Sequence, residues 1–499
     1  MKFLKLSLAA SIALGALSTS SFAQPLEEAI KGVDVSGYLR YRYTDDRYNN
    51  NQFGGVSGRG SAAHQWRAVA DFKTPAINNV ALNLGIWYNN SNNVNHGKGI
   101  RNPNFDASLG ENENNKRYSN NFAGTGLGAG ADGQFGVRSF YATITPDNTA
   151  TTVKIGKQPL DTPITYAPDG DRGTGILVLN NDVPNLTLVA TAFDSWMVNE
   201  ATIQARSSNL ASLAKNNIAQ TNLATDKSID KNLYGVAGIY NLDTDYGNFG
   251  GQLWGFYIDS AVDALVFGEL SWKNSLLRAK AQYTYAAINN DKDSIFATYY
   301  GHPLLAHSTQ LNDKKANIKE SNDILVLEVG ANLTQDYQLP LDVRLGYITN
   351  FADGTAVALE NEGSNVSRAG KVWWDNAATG ISTSALQSYG VHGLNRNQDI
   401  NVFYAAGNYG FIDNRLNLGL EFAYGQNKIS ENKANGGLPE EKIKFTEITP
   451  TISWKHSKNL TLSSYYAYLQ TDTGLKNSNG QNVDDQKRGK FRVEAKYSF

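Results

Sequence analysis

Apolar and polar residues alternate along most of this chain, and the alternation is cleanest in its final stretch. Phe491, Val493, Ala495, Tyr497 and Phe499 take every second position, with Lys490, Arg492, Glu494, Lys496 and Ser498 between them. A period of two puts the two sets on opposite faces of a strand, one apolar and one charged. Near the start, Val33, Val35, Gly37, Leu39, Tyr41 and Tyr43 alternate with Asp34, Ser36, Tyr38, Arg40 and Arg42. Trp66, Ala68, Ala70 and Phe72 alternate with Gln65, Arg67, Val69, Asp71 and Lys73, and Val80, Leu82, Leu84, Ile86 and Tyr88 form a third run. The same reading predicts strands near 134–144, 151–157, 174–179, 186–194, 232–241, 250–259, 263–273 and 276–287. Further strands follow near 323–333, 341–350, 399–408, 415–425, 443–454 and 460–469. Two segments read as helix: Pro25 to Gly32, which has proline first, Glu27 and Glu28 in its first turn and glycine last, and a stretch carrying Ile203, Leu210, Leu213 and Ile218.

The predicted strands number about 18, and their connections alternate in length. Gaps at 44–62, 90–133, 195–231, 288–322 and 351–398 are long, whereas those at 74–79, 180–185, 242–249, 334–340 and 455–459 are short. Long loops on one side and short turns on the other predict an all-β fold: a transmembrane antiparallel β-barrel with long outer loops and short periplasmic turns. Met1 to Ala23 supports export, with Lys2 and Lys5 before an apolar run that is too short to span a membrane and ends in small residues. The expected organisation is a signal peptide over 1–23 and one barrel domain over 24–499.

Composition fits that picture. Mean hydropathy is −0.40, which a barrel tolerates because only alternate residues of its wall meet lipid. Cysteine is absent, so neither disulfide nor thiol chemistry enters. A formal net charge of −2 lacks the basic excess of a nucleic-acid partner. Gly128, Gly130 and Gly133 have dinucleotide-loop spacing but precede a strand instead of following one. His64, His96, His302, His307, His392 and His456 are scattered without metalloprotease spacing, and no G-x-S-x-G elbow exists, so no enzyme is expected.

Lys157 to Gly175, KQPLDTPITYAPDGDRGTG, is the third connection on the long side. Pro159, Pro163 and Pro168 bar it from strand or helix, and Asp161, Asp169 and Asp171 make it acidic. Folded into the lumen, it would face Arg40, Arg42 and Arg67, joined by Arg138 and Lys154, across a constriction. Opposed charges at a narrow aqueous gap filter and orient charged solutes.

PLEEAIKGVDVSGYLRYRY (Pro25 to Tyr43), the Gly156 to Gln158 run, GTGILVLNN (Gly173 to Asn181) and LTLVATAFDSWM (Leu186 to Met197) resemble the major outer membrane porin of Campylobacter and its relatives. The resemblance implies an 18-stranded homotrimeric channel, integral to the bacterial outer membrane and surrounded by its lipid. It implies passage of ions and small hydrophilic solutes with mild cation preference, a third loop constricting the lumen, and a calcium ion nearby. Asp169 falls at the family's acidic loop position; Gln204 meets its second acidic position, leaving Glu200 as a substitute. The expectation is therefore a general diffusion porin. Its rivals are a substrate-specific channel, with Arg278 and Lys280 or Lys490, Arg492 and Lys496 as a ladder for carboxylates, and an adhesin whose binding parts are the loops at 90–133 and 351–398.

Overall fold

The computed structural model describes residues 32–48, 61–94, 135–197, 231–291, 319–359, 366–374, 397–430, 441–472 and 486–499. Among them run the strands β1 (Asp34–Tyr48), β2 (Ser61–Lys73), β3 (Val80–Val94), β4 (Phe135–Ile144), β5 (Thr151–Pro159) and β6 (Arg172–Asn180). Next come β7 (Leu186–Met197), β8 (Leu233–Thr244), β9 (Gly247–Ile258), β10 (Val262–Lys273), β11 (Leu277–Ile288) and β12 (Ser321–Asn332). The last are β13 (Leu341–Thr349), β14 (Asn397–Phe411), β15 (Leu416–Ser430), β16 (Glu441–Lys455), β17 (Leu460–Asp472) and β18 (Gln486–Ser498). Helix among the described residues is limited to a 3-10 turn at Ala167–Asp169 and a single turn at Thr334–Tyr337. The signal segment and residues 25–31 and 203–218, where helix was expected, lie outside the described residues.

Each strand pairs antiparallel with its neighbours in sequence, and β1 also pairs with β18, closing an 18-stranded sheet. At the seam Gly37 and Phe499 exchange both backbone hydrogen bonds, at 3.0 and 3.1 Å. Closure leaves no edge strand, the condition for a sheet to cross lipid without unpaired backbone groups. The outer face is apolar: Leu270 is 71% exposed, Leu253 61%, Phe403 60% and Leu345 59%. Alternation sends the intervening residues inward.

Around the third outer loop the wall is tightly drawn. Gly156 of β5 faces Gly175 of β6 across the ladder. Gly156 has a φ of 124°, and a Cβ there would lie 2.4 Å from the carbonyl oxygen of Phe140 on β4. At Gly175 a Cβ would lie 2.1 Å from the carbonyl oxygen of Ala192 on β7. A side chain would push β5 off β4 just where the chain turns inward. Replacing Gly156 by valine is expected to cost about 2 kcal/mol through the left-handed backbone and the lost approach. The measurement is the urea midpoint at which the detergent-solubilised barrel loses its heat-modifiable electrophoretic mobility; an unchanged midpoint would show that this strand pair does not need the glycine.

Candidate functional site

The third outer loop, residues 160–171, folds into the lumen as expected. Its neck is closed by Leu160 N–H donating to the Asp171 carbonyl at 3.1 Å. Within it, Thr165 Oγ1 donates to the Leu160 carbonyl at 2.6 Å and Tyr166 N–H donates to Asp171 Oδ2 at 2.6 Å. Leu160 and Ile164, each 1% exposed, pack against Phe193, Trp254, Phe256 and Phe267 of the inner wall. These contacts bury large apolar side chains at about 1.5–3 kcal/mol each, so the loop is held chiefly by packing on β7 to β11.

A second inward loop was not anticipated. The β13–β14 connection is expected among the outer loops, a binding part only in the adhesin alternative, but its described residues, 350–359 and 366–374, turn inward. Val357, Val372, Trp373 and Trp374 are buried against Val326, Ile348, Val402 and Phe445, inner-wall residues of β12, β13, β14 and β16. The two loops touch, with Leu359 N–H donating to the Ile164 carbonyl at 2.9 Å.

A loop enclosed this way must find partners for its backbone N–H groups. Wall side chains supply them. Glu447, fully buried on β16, accepts from the N–H groups of Lys371, Val372 and Trp373 at 2.5, 3.1 and 2.7 Å, and from Thr449 Oγ1 at 2.7 Å. Glu421 on β15 accepts from Gly370 N–H and from Lys371 Nζ at 2.8 and 2.7 Å. Asp323 on β12 accepts from the N–H groups of Phe351 and Ala352 at 2.8 and 2.6 Å, and Gln282 on β11 accepts from Ser367 N–H at 2.8 Å.

Neither apolar cluster includes a residue of β18 or of β1 to β5. That arc is charged instead. Lys496 of β18, Arg40 of β1 and Arg67 of β2 stand in register side by side. One step along, Arg42 meets Glu494, with Arg42 NH2 2.7 Å from its carboxylate. Arg488 is paired with Asp46 across the same seam at 2.5 Å, and Arg138 with Asp71 at 3.6 Å. Rings carry several of these cations: Lys496 lies 4.6 Å over Tyr38, Arg492 5.3 Å over Tyr465 and Arg67 5.6 Å over Trp87. Arg40 and Arg492 each keep a buried Nε–H without a hydrogen-bond partner among the described residues.

The residues expected at the constriction divide accordingly. Arg40 and Arg67 are cross-strand partners, and Arg42, one step along, is paired with Glu494. Asp161 is exposed on the loop, in electrostatic contact with Lys154 of β5. Asp171 corrects the expectation: it is fully buried at the loop's neck, and its carboxylate holds the loop together by accepting from Tyr166 N–H instead of facing the gap. Asp169 lies in the 3-10 turn, and its side chain, like the whole of Glu200, lies outside what is described. Among the described residues no cluster of three or more His, Cys, Asp or Glu side chains would hold a metal, and the side chains of both candidate calcium ligands lie outside that set.

Comparison with known proteins agrees with this architecture. The sequence model of the family described as Campylobacter major outer membrane protein matches residues 1–497. No curated protein matches the chain. Among solved structures it is similar to OccAB3 of Acinetobacter baumannii, at 13% identity and a TM-score of 0.54, covering 94% of this chain and 99% of that one. OccK9 of Pseudomonas aeruginosa gives 13% identity and a TM-score of 0.54, with 94% and 100% covered. A BenF-like porin from Pseudomonas fluorescens gives 13% and 0.53, with 94% and 99% covered. At such identity these likenesses concern the fold, which is that of outer-membrane porins.

The clamp on the second loop is open to direct test. Replacing Glu447 by leucine removes the acceptor of three backbone N–H groups, two of them buried, an expected loss of more than about 3 kcal/mol. Residues 366–374 should then be cut by protease in a barrel that otherwise stays folded. Glutamine, which keeps one carbonyl oxygen, should fall between leucine and wild type. Full resistance in both variants would show that packing alone holds the loop.

Proposed function

We propose that this chain, which belongs to the Campylobacter major outer membrane protein family, is a passive aqueous channel for ions and small hydrophilic solutes, a general diffusion porin rather than an enzyme. The observation that carries this reading is the basic strip of Lys496, Arg40 and Arg67 across three neighbouring strands. Like charges placed directly opposite one another destabilise a sheet, a cost that the rings beside Lys496 and Arg67 offset in part. Arg67 is buried and Arg40 half-buried, while Lys496 at the end of the strip is exposed, so water reaches the strip from the Lys496 side; on this reading the arc is the wall of the path, with the two inward loops narrowing it from the other side.

Selectivity is then a balance of opposed charges. Mild cation preference rests on the exposed Asp161, with the basic strip working against it. Assembly as a homotrimer is carried by the family alone. A second reading is favoured by the strip itself: three cations in register would hold a carboxylate-bearing solute and make the channel substrate-specific.

Single-channel recording with reversal potential under a salt gradient tests these readings. General diffusion predicts ohmic current in groups of three steps. Replacing Asp161 by asparagine is expected to lower the cation-to-anion permeability ratio about twofold, the size of one charge acting through several ångströms of water. Replacing Arg40 and Arg67 together by glutamine should raise it. No change in the first variant would place Asp161 outside the ion path. Flux of one carboxylate that saturates, and that loses saturation in the second variant, would replace general diffusion by the specific channel.

A further inference from the structure

On the outer wall, between the periplasmic turns β8–β9 and β10–β11, lies an open recess of about 680 Å³ lined by Asp245, Tyr246, Phe249, Trp272, Asn274 and Ser275. Phe249 and Trp272 are cross-strand partners. Alternation places both on the lipid face, because Leu253 and Leu270, spaced from them by even steps, are 61% and 71% exposed. The Trp272 ring is held in place by its Nε1–H, which donates to the Tyr246 carbonyl at 3.1 Å, and Tyr246 is itself 82% exposed. Two of the polar residues are engaged elsewhere: Ser275 donates to Asp336 Oδ2 at 3.0 Å, and Asn274 Oδ1 accepts from the N–H groups of Leu276 and Leu277 at 3.0 and 2.7 Å. Asp245 has no hydrogen-bond or ion-pair partner among the described residues.

The recess thus combines three aromatic rings with one uncompensated carboxylate, at the level where the wall leaves the membrane on its periplasmic side. Aromatic faces and a carboxylate together select an ammonium group, and the same carboxylate repels a headgroup that is only anionic. Immediately above, toward the membrane centre, Gly251 is the partner of Leu270 and Gly268 the partner of Leu253. A Cβ on Gly251 would come no nearer than 3.5 Å to its closest neighbour and one on Gly268 no nearer than 3.9 Å. The chain's own packing leaves room for larger residues there, and the glycines leave the wall dipped on both sides of Leu253. We propose that this recess binds a phospholipid of the periplasmic leaflet through its ammonium headgroup, with an acyl chain lying in the dipped wall above.

The test is native mass spectrometry of the full chain, released from detergent after incubation with phosphatidylethanolamine and phosphatidylglycerol of identical acyl chains. Wild type should retain one ethanolamine lipid per chain in about tenfold preference, the scale of a desolvated cation over aromatic rings. Asp245→Asn should abolish the preference, and Trp272→Leu should weaken retention of the ethanolamine lipid, with single-channel conductance unchanged in both. Phosphatidylcholine, which keeps the cation without N–H donors, should still bind better than phosphatidylglycerol. Equal retention of the two test lipids by wild type, or an undiminished preference in both variants, would overturn the proposal and leave only annular lipid. Because conductance is recorded separately, this outcome is distinct from a failure of the channel reading.

Discussion

A sheet in hydrocarbon must leave no backbone group unpaired, and the pairing of β1 with β18 is where this chain meets that demand. Closure defines an inside and an outside, and strand alternation then assigns every wall residue to one or the other. It also brings together residues more than 400 positions apart, as in the contacts of Arg42 with Glu494 and of Arg488 with Asp46. The charged arc of the lumen exists only because the two ends of the sheet meet there.

The inside is divided by a second demand. From β7 to β17 the inner wall carries apolar residues such as Phe193, Phe256, Phe267, Val326 and Phe445, which water would leave unstable. Two loops cover them, and their cover creates a further requirement, since an enclosed loop needs partners for its N–H groups. Glu447, Glu421, Asp323 and Gln282 provide them, so these three carboxylates and one amide act as anchors for backbone. Outside the two clusters, on β18 and β1 to β5, the charges stay with the path. The division lets a barrel of this strand number, wide enough for a channel, take two loops into its lumen while one arc of its wall stays charged.

Porins at 13% identity share this fold because a barrel wall constrains residue class more than residue identity. The outer surface obeys the same rule over most of its area. At the β8–β11 periplasmic edge it departs from it, with an acidic residue among aromatic rings, and there lipid becomes a ligand in addition to a solvent.

The strands, their number, the alternating loops and turns, and the irregular course of the third loop were legible in the sequence, because alternation and proline act through local geometry; that this loop turns inward came from the family resemblance. Arg40, Arg42 and Arg67 were legible as a basic face for the same reason. The burial of Asp171 and the inward course of residues 350–359 and 366–374 were not. A signal was present: DILVLEV (Asp323 to Val329) is apolar on both faces, as is ALVF (Ala264 to Phe267), and an apolar lumen face calls for a cover. What covers it is not written locally. Alternation along each strand sets which residues face inward; which of those lie under a loop and which meet water is set by the folded barrel. That choice depends on contacts between segments far apart in the chain, such as Glu447 with Lys371 to Trp373, which become neighbours only when the sheet closes.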